Sequence, residues 1–128
     1  MTIFTKIING EIPCYKIAED DKHFAFLDIR PLQRGHTLVV PKKEIDYIFD
    51  LEDEELKDLV IFAKKIAIAL RKAIPCERIG VAVIGLEVPH THIHLSPINS
   101  VNDMDFRQAK ALQKEEMEDI ATKIKSFL

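Results

Sequence analysis

Three histidines stand at alternate positions in the run His90-Thr-His-Ile-His94 of a 128-residue chain that holds only five histidines. Successive side chains of a β-strand point to opposite faces, so this spacing predicts that all three imidazoles share one face of a strand. Imidazole titrates near neutral pH and can act as a base, an acid, a nucleophile or a metal ligand. The row of histidines therefore indicates a chemical site.

A metal site is one interpretation of the row. Zinc needs nitrogen ligands at about 2.0–2.1 Å, whereas side chains on the same face of a strand start about 6.6–6.8 Å apart. An adjacent pair of histidines can therefore chelate a metal, but all three hardly can, and His36, Glu87 or a residue elsewhere would have to complete the set. The chain has no second cluster of cysteines or histidines, which disfavours a metal site.

The other interpretation uses the row without a metal. One imidazole attacks an electrophile, and its neighbours stabilise the charge that develops. A backbone carbonyl that accepts the proton of the other ring nitrogen would fix the reactive tautomer. Phosphoryl or nucleotidyl transfer fits this arrangement best, because a metal-free site must supply positive charge and N–H donors from its own side chains.

Charge and composition limit the partners and the compartment. The chain has 18 basic and 21 acidic residues, a formal net charge of −3, and so no electrostatic footprint for nucleic acid or an anionic membrane. Cys14 and Cys76 form no Cys-x-x-Cys pair, which favours a reducing compartment. Neither a signal peptide nor an apolar run of about 20 residues is evident. The sequence therefore predicts a cytoplasmic protein.

Hydrophobic periodicity divides the chain into the strands and helices of one domain, residues 1–128. The segments that read as strands are 15–19, 23–27, 37–40, 79–84 and 90–97, and the nearly continuous apolar run 79–84 predicts a strand buried on both faces. The helices are a short one at 3–9 capped by Thr2, a long amphipathic one at 51–74 with Asp50 as N-cap, and one near the C-terminus. Together they predict an α+β fold with a mostly antiparallel sheet of about five strands.

The run His90–Ser96 resembles the His-φ-His-φ-His-φ-φ signature of the histidine triad (HIT) family, in which φ is apolar. Four earlier stretches are similar in order and spacing to its Hint-like branch: Phe4–Pro13, Glu19–Asp21, Ala25–Pro31 and Gly35–Lys43. The resemblance implies a homodimer whose two sheets join into one, with the C-terminal segment reaching towards the partner's site. It also implies a hydrolase of purine nucleoside 5′-phosphoramidates that forms a covalent nucleotidyl-histidine and needs no metal or other cofactor.

The resemblance also implies a role for each of four histidines. His92, the middle member, would be the nucleophile, and His94 would contact the phosphate and assist the leaving group. His90 and His36 would orient or support the row.

Four further residues stand at nucleotide-binding positions of that family. Asp28 corresponds to the acidic residue that holds the ribose hydroxyls, and Ile29 to a residue of the base pocket. Glu87 and Val88 come shortly before the triad, and position 87 is the one that would touch the phosphate or the leaving group. A lone carboxylate or isoleucine would otherwise be read as a turn cap or a core residue.

The sequence departs from the family's pattern at the loop before the triad. Relatives commonly carry Gly-Gln-Ser or Gly-Gln-Thr there, whereas this chain has a shortened loop with Gly85-Leu-Glu-Val88. Glu87 replaces a hydroxyl, and a carboxylate repels an anionic substrate unless it is protonated or turned away. A nucleotide-binding regulatory module with little turnover, or a dinucleoside polyphosphate hydrolase, therefore remain alternatives.

Two smaller expectations concern residues outside the triad. Some relatives bind structural zinc through a Cys-x-x-Cys and a later histidine, but this chain has Thr2, Thr5 and Glu44 at those positions. A zinc site of that type is therefore not expected. His23, beside a polar turn, is predicted to be exposed.

Overall fold

An antiparallel five-stranded sheet organises the molecule, and the computed structural model describes all residues, 1–128. The elements in chain order are α1 Ile3–Ile8, β1 Lys16–Glu19, β2 His23–Leu27, β3 Thr37–Pro41, α2 Asp53–Ala73, β4 Arg78–Ala82, β5 Ile93–Ile98 and α3 Lys114–Lys125. The strand order is β1-β2-β3-β5-β4. The predicted α+β fold, with its one long and two shorter helices, is confirmed. None of the helices combines the length and the hydropathy that a membrane span requires.

The central strand β3 separates two apolar clusters. Val39 points to the face covered by α2 and α3, whereas Leu38 and Val40 point to the other face and pack with Phe4 of α1. Leu38 pairs with His94 across the β3–β5 ladder, and directly opposed residues of an antiparallel pair lie on the same face. The third histidine of the row therefore faces away from α2.

The long helix starts two residues later than predicted, and its N-cap is Glu52, not Asp50. The backbone N–H of Glu52 donates to Glu55 Oε1 at 2.9 Å, as in a capping box. Asp50 instead ends a short 3-10 turn, and the extended, buried Leu51 separates that turn from the helix. The helix ends at Ala73, shortly before Pro75, which cannot continue it.

Strand β4 is not buried on both faces, and that prediction is wrong. It occupies one edge of the sheet and pairs only with β5, so 64% of Val81 is exposed. Val83 and Ile84, directly after the strand, are exposed as well. The chain therefore presents an apolar row beside an unpaired strand edge.

The last strand begins at Ile93, so His90 and His92 lie before it, contrary to the prediction of a strand from His90. The reason is that the backbone N–H groups of His90 and Thr91 donate to carbonyls that do not belong to a strand. The His90 N–H donates to the Val88 carbonyl at 2.8 Å, and the Thr91 N–H donates to the Ile45 carbonyl at 2.7 Å. These bonds fold residues 88–91 into a turn beside the sheet.

His23 is buried, contrary to the prediction of an exposed side chain. Only 6% of it is exposed, because its ring stacks on Phe62 of α2 with centroids 5.0 Å apart. Its Nδ1 lies 3.0 Å from the Asp20 carboxylate. His23 therefore joins the first hairpin to the long helix, on the opposite face of the sheet from the triad.

Candidate active site

The structure brings His36 and the three triad histidines together in one buried group, although only His94 belongs to a strand. The ring centroids of His92 and His94 are 5.0 Å apart, and those of His36 and His94 are 5.2 Å apart. On the other side, the Phe4 ring meets His92 at 5.0 Å and His90 at 5.7 Å. Four imidazoles thus share one face beside helix α1.

His36 reaches this group from a turn that depends on Gly35 and on a hydrogen bond with Asp28. Gly35 has a φ of +94°, and a β-carbon there would come 2.9 Å from the Leu70 side chain of α2. Only glycine combines that backbone conformation with so close an approach. The His36 carbonyl then accepts the Asp28 N–H at 2.9 Å, which places the carboxylate beside the imidazole.

The hydrogen bonds of His36 and His94 determine where their protons lie. The Leu32 N–H donates to His36 Nδ1 at 3.0 Å, so the proton of the neutral His36 ring is on Nε2. That Nε2 lies 3.0 Å from His94 Nδ1, which must accept. His94 therefore carries its own proton on Nε2, where it is free to donate to a ligand.

Both of these rings remain neutral at pH 7. Burial, and next the neighbouring His92, lowers the pKa of His36 to about 4. Burial, and next the neighbouring His36, lowers the pKa of His94 to about 4 as well. A second proton on His36 would also face the Leu32 N–H, and a second proton on His94 would face the His36 Nε2–H.

His92 has the opposite arrangement of donor and lone pair. Its Nδ1 lies 2.7 Å from the His90 carbonyl oxygen, and a carbonyl can only accept, so the His92 proton is on Nδ1. The Nε2 of the neutral ring therefore has a free lone pair. A lone pair on one ring and an N–H on the next give the site a nucleophile beside a hydrogen-bond donor.

His90 has both ring nitrogens engaged by protein groups. Its Nε2 donates to the Pro41 carbonyl at 2.7 Å, and its Nδ1 accepts from the Thr2 hydroxyl at 2.7 Å. Nearby, the Thr5 hydroxyl donates to Glu44 at 2.7 Å. Hydrogen bonds thus join Thr2, Thr5 and Glu44 to this side of the site. They also hold His90 in place, and the His90 backbone carbonyl in turn orients the His92 ring.

Asp28 stands directly after β2 at the His36 end of the group. Its Oδ2 is 3.8 Å from His36 Nε2, its Oδ1 accepts the Arg30 N–H at 2.9 Å, and burial raises its pKa. The ligand atoms of Asp28, His36 and His94 lie within 4.8 Å of one another, close enough for one cation. Because His36 and His94 already bond each other, a cation could bind there only by replacing that hydrogen bond.

Comparison with known proteins agrees with this geometry. Residues 9–101 match the family model described as HIT domain. The chain belongs to the HIT family. It is 39% identical to the adenosine 5′-monophosphoramidase hnt1 of Schizosaccharomyces pombe over 100 residues, 74% of this chain and 72% of that protein. It is also 38% identical to a HIT-like protein of Borreliella burgdorferi over 120 residues, 88% of this chain and 86% of that one.

Solved structures show the same fold. A Hit-like protein from Bartonella henselae, described as involved in cell-cycle regulation, superimposes with a TM-score of 0.87 at 34% identity, covering 99% of this chain and 96% of the other. The HIT fold therefore extends beyond the residues matched by the family model to both ends of this chain.

The remaining predicted nucleotide-binding residues lie in different surroundings. Glu87 is exposed and lines a cavity of about 280 Å³ together with His92 and His94. Val88 is half-buried against the cluster around Phe4. Ile29 is 66% exposed and lines a separate cavity of about 830 Å³ that borders α3, so the structure does not bring it to the histidines.

Phe106 is a site residue that the sequence did not indicate. Its ring meets His94 edge-to-face with centroids 4.9 Å apart, and it lines the same cavity as Glu87. It follows the last residue matched by the HIT family model, residue 101. A single phenylalanine in a polar stretch belongs to no motif, so only its position in the fold reveals it.

Proposed function

We propose that this HIT protein is a nucleotidyl hydrolase that cleaves purine nucleoside 5′-phosphoramidates or related conjugates through a covalent nucleotidyl-His92. The observation that carries the proposal is the free Nε2 of His92 beside the Nε2–H of His94. The likeness to a fission yeast protein named adenosine 5′-monophosphoramidase supports the same reaction class.

The proposed reaction has two displacements at phosphorus. His92 Nε2 attacks the phosphorus and the bond to the leaving nitrogen breaks, so that the amine departs with a proton taken from the solvent, to which the second step returns a proton. Water then attacks the phosphorus of the nucleotidyl-imidazole, which releases the nucleoside monophosphate and restores the His92 lone pair. The His94 Nε2–H donates to a phosphoryl oxygen in both steps, where negative charge develops.

The direct test is incubation of the protein with an adenosine 5′-phosphoramidate and measurement of AMP release. Rapid quenching in base should yield a protein whose mass is increased by one adenylyl group, because phosphohistidine-type bonds withstand base better than acid. Tight AMP binding with neither turnover nor adduct would instead support the nucleotide-binding module, which the exposed Glu87 favours. Diadenosine polyphosphates as parallel substrates test the third alternative.

Asp28 should recognise the ribose of the bound nucleotide. Its half-buried carboxylate already accepts one N–H and keeps acceptor capacity for hydroxyl donors. Asp28→Asn should weaken AMP binding about tenfold, because hydrogen bonds to a charged group contribute about 1.5–3 kcal/mol. Calorimetric titration with AMP and with 2′,3′-dideoxy-AMP measures this effect. Equal affinity of the wild-type protein for the two nucleotides would contradict this role.

The edge strand β4 supports a homodimer with a continuous sheet. Its N–H and C=O groups on one side are unpaired, and apolar Val81 lies on it, so a second copy can add to the edge. Val81→Lys should convert a dimer to a monomer, measured by size exclusion with light scattering. Ile61→Lys, a similarly exposed position beside the first hairpin, is the matched control. A wild-type monomer, or a dimer that survives in Val81→Lys, would contradict pairing at this edge.

A further inference from the structure

The third histidine, His94, contacts the rings of both His92 and Phe106 edge-to-face. His92 meets it at a centroid distance of 5.0 Å with an interplanar angle of 66°, and Phe106 meets it at 4.9 Å with an angle of 78°. Phe106 also approaches His36 at 6.4 Å. Edge-to-face contacts at these distances are favourable beyond the area that they bury. The Phe106 ring therefore restricts both members of the His36–His94 pair.

The segment that carries Phe106 is fastened to the loop that carries Asp28. The Arg30 guanidinium donates to the Ala109 carbonyl at 3.1 Å, and the Lys110 N–H donates to the Pro31 carbonyl at 3.3 Å. Asp105 accepts the Arg107 N–H at 3.0 Å and so caps the short turn that begins with Phe106. These bonds fix the backbone of the segment that carries Phe106, and so the place from which its ring contacts the histidines.

Without Phe106, the aromatic contacts that orient the His94 ring would be those with His92 and with its hydrogen-bond partner His36. The bond at Nδ1 fixes one end of the ring, but a single hydrogen bond allows the ring to tilt about the bonded nitrogen. The direction of the Nε2–H at the opposite end depends on this tilt. The edge-to-face contacts with both His92 and Phe106 remove that freedom before the substrate arrives.

We propose that Phe106 is a positioning residue for the reaction proposed above. Its ring fixes the orientation of His94, so that the His94 Nε2–H faces the phosphoryl group attacked by His92. Phe106 also keeps water away from His94, which keeps the ring in its neutral, singly protonated form. The expected effect of Phe106 on kcat rests on the proposed function. Its effect on the protonation of His94 holds in the free protein as well.

The charged groups around His94 determine how the ring responds when Phe106 is removed. Asp28 follows β2, His36 precedes β3, His92 precedes β5, and Glu87 lies on the loop that lines the same cavity. The Arg107 guanidinium is outside this group, because it is exposed and paired with Asp105. Water admitted beside His94 would reduce the burial that lowers its pKa, and Asp28 would favour the protonated ring.

The test compares Phe106→Ala and Phe106→Leu with Phe127→Ala, which removes an equally exposed phenylalanine after α3. Titration of the imidazole signals by nuclear magnetic resonance in the substrate-free proteins reports the protonation of His94. We expect Phe106→Ala to raise the midpoint of His94 from about 4 towards the usual range near 6.5. Phe106→Leu should restore most of the wild-type midpoint, and Phe127→Ala should leave it unchanged.

The kinetic arm uses the same proteins with an adenosine 5′-phosphoramidate. Phe106→Ala should lower kcat about tenfold and change KM less than about threefold, because misplacement of a catalytic group by about 1 Å costs up to about 100-fold in rate. In the pH profile of kcat, the acid limb of Phe106→Ala should shift to higher pH together with the His94 titration. A wild-type His94 midpoint in Phe106→Ala would overturn the proposal. Absence of turnover in the wild-type protein would reject the hydrolase, and the titration would then decide the role of Phe106 alone.

Discussion

Replacing His92 with asparagine should lower the rate of AMP release from an adenosine 5′-phosphoramidate by about 10⁴-fold or more, as expected for loss of a covalent nucleophile. The asparagine amide can still donate to the His90 carbonyl, which His92 Nδ1 contacts at 2.7 Å. It has no nucleophilic lone pair in place of Nε2. The variant therefore keeps the local hydrogen bond and loses the attacking atom, and steady-state kinetics with purified protein measure the effect.

The matched control is His23→Asn, which changes a buried histidine on the opposite face of the sheet. It should lower the unfolding temperature, because His23 stacks on Phe62, but kcat of the folded protein should stay within about twofold of wild type. AMP affinity of His92→Asn should remain close to wild type, which separates loss of chemistry from loss of binding. An adenylyl adduct formed at normal rate on His92→Asn would assign the nucleophile to another residue.

Replacing His94 with alanine should lower kcat by about 10²–10³-fold, the usual cost of one donor to developing charge. The tautomer fixed through Leu32 and His36 makes His94 a neutral donor at Nε2. A neutral donor to a phosphoryl oxygen acts irrespective of the leaving group. The loss should therefore be similar for an amine and for p-nitrophenol as leaving groups, which parallel assays of the two adenosine 5′-phosphoryl substrates measure.

The same comparison distinguishes the two roles expected for this histidine. A group that protonates the leaving atom matters for an amine and hardly at all for p-nitrophenolate, which departs without a proton. A loss confined to the amine substrate would therefore show that His94 supplies the leaving-group proton. That result would also require His94 to be doubly protonated in the substrate complex, although its pKa in the free protein is about 4.

The elements of the fold were predictable because each has a local periodicity. The amphipathic repeat of α2 and the short apolar runs of β2 and β3 depend on residues within one segment, and their bounds differ from the predictions by few residues. The burial of β4 was not predictable in this way. A continuous apolar run occurs both in central strands and in apolar edge strands, and only the order of strands in the sheet distinguishes the two.

The start of the last strand was mispredicted for a related reason. Alternating histidines read as a strand from His90, but the backbone of residues 90 and 91 bonds to Val88 and Ile45. Thr91 and Ile45 are far apart in sequence, so no local pattern records their hydrogen bond. The imidazoles nevertheless reach one face, because the turn before β5 and the strand itself direct them to the same side.

The sequence by itself determined the chemical groups of this protein: three alternating histidines, a fourth after a loop glycine, and a carboxylate at the end of a strand. Tertiary structure alone decided which nitrogen of each ring carries the proton, because that depends on the carbonyl or N–H that faces it. Leu32 and His36 together make His94 a donor, and the His90 carbonyl leaves His92 a free lone pair. The placement of Phe106 against His94 is likewise a tertiary contact, since its segment reaches the site only after the chain has folded.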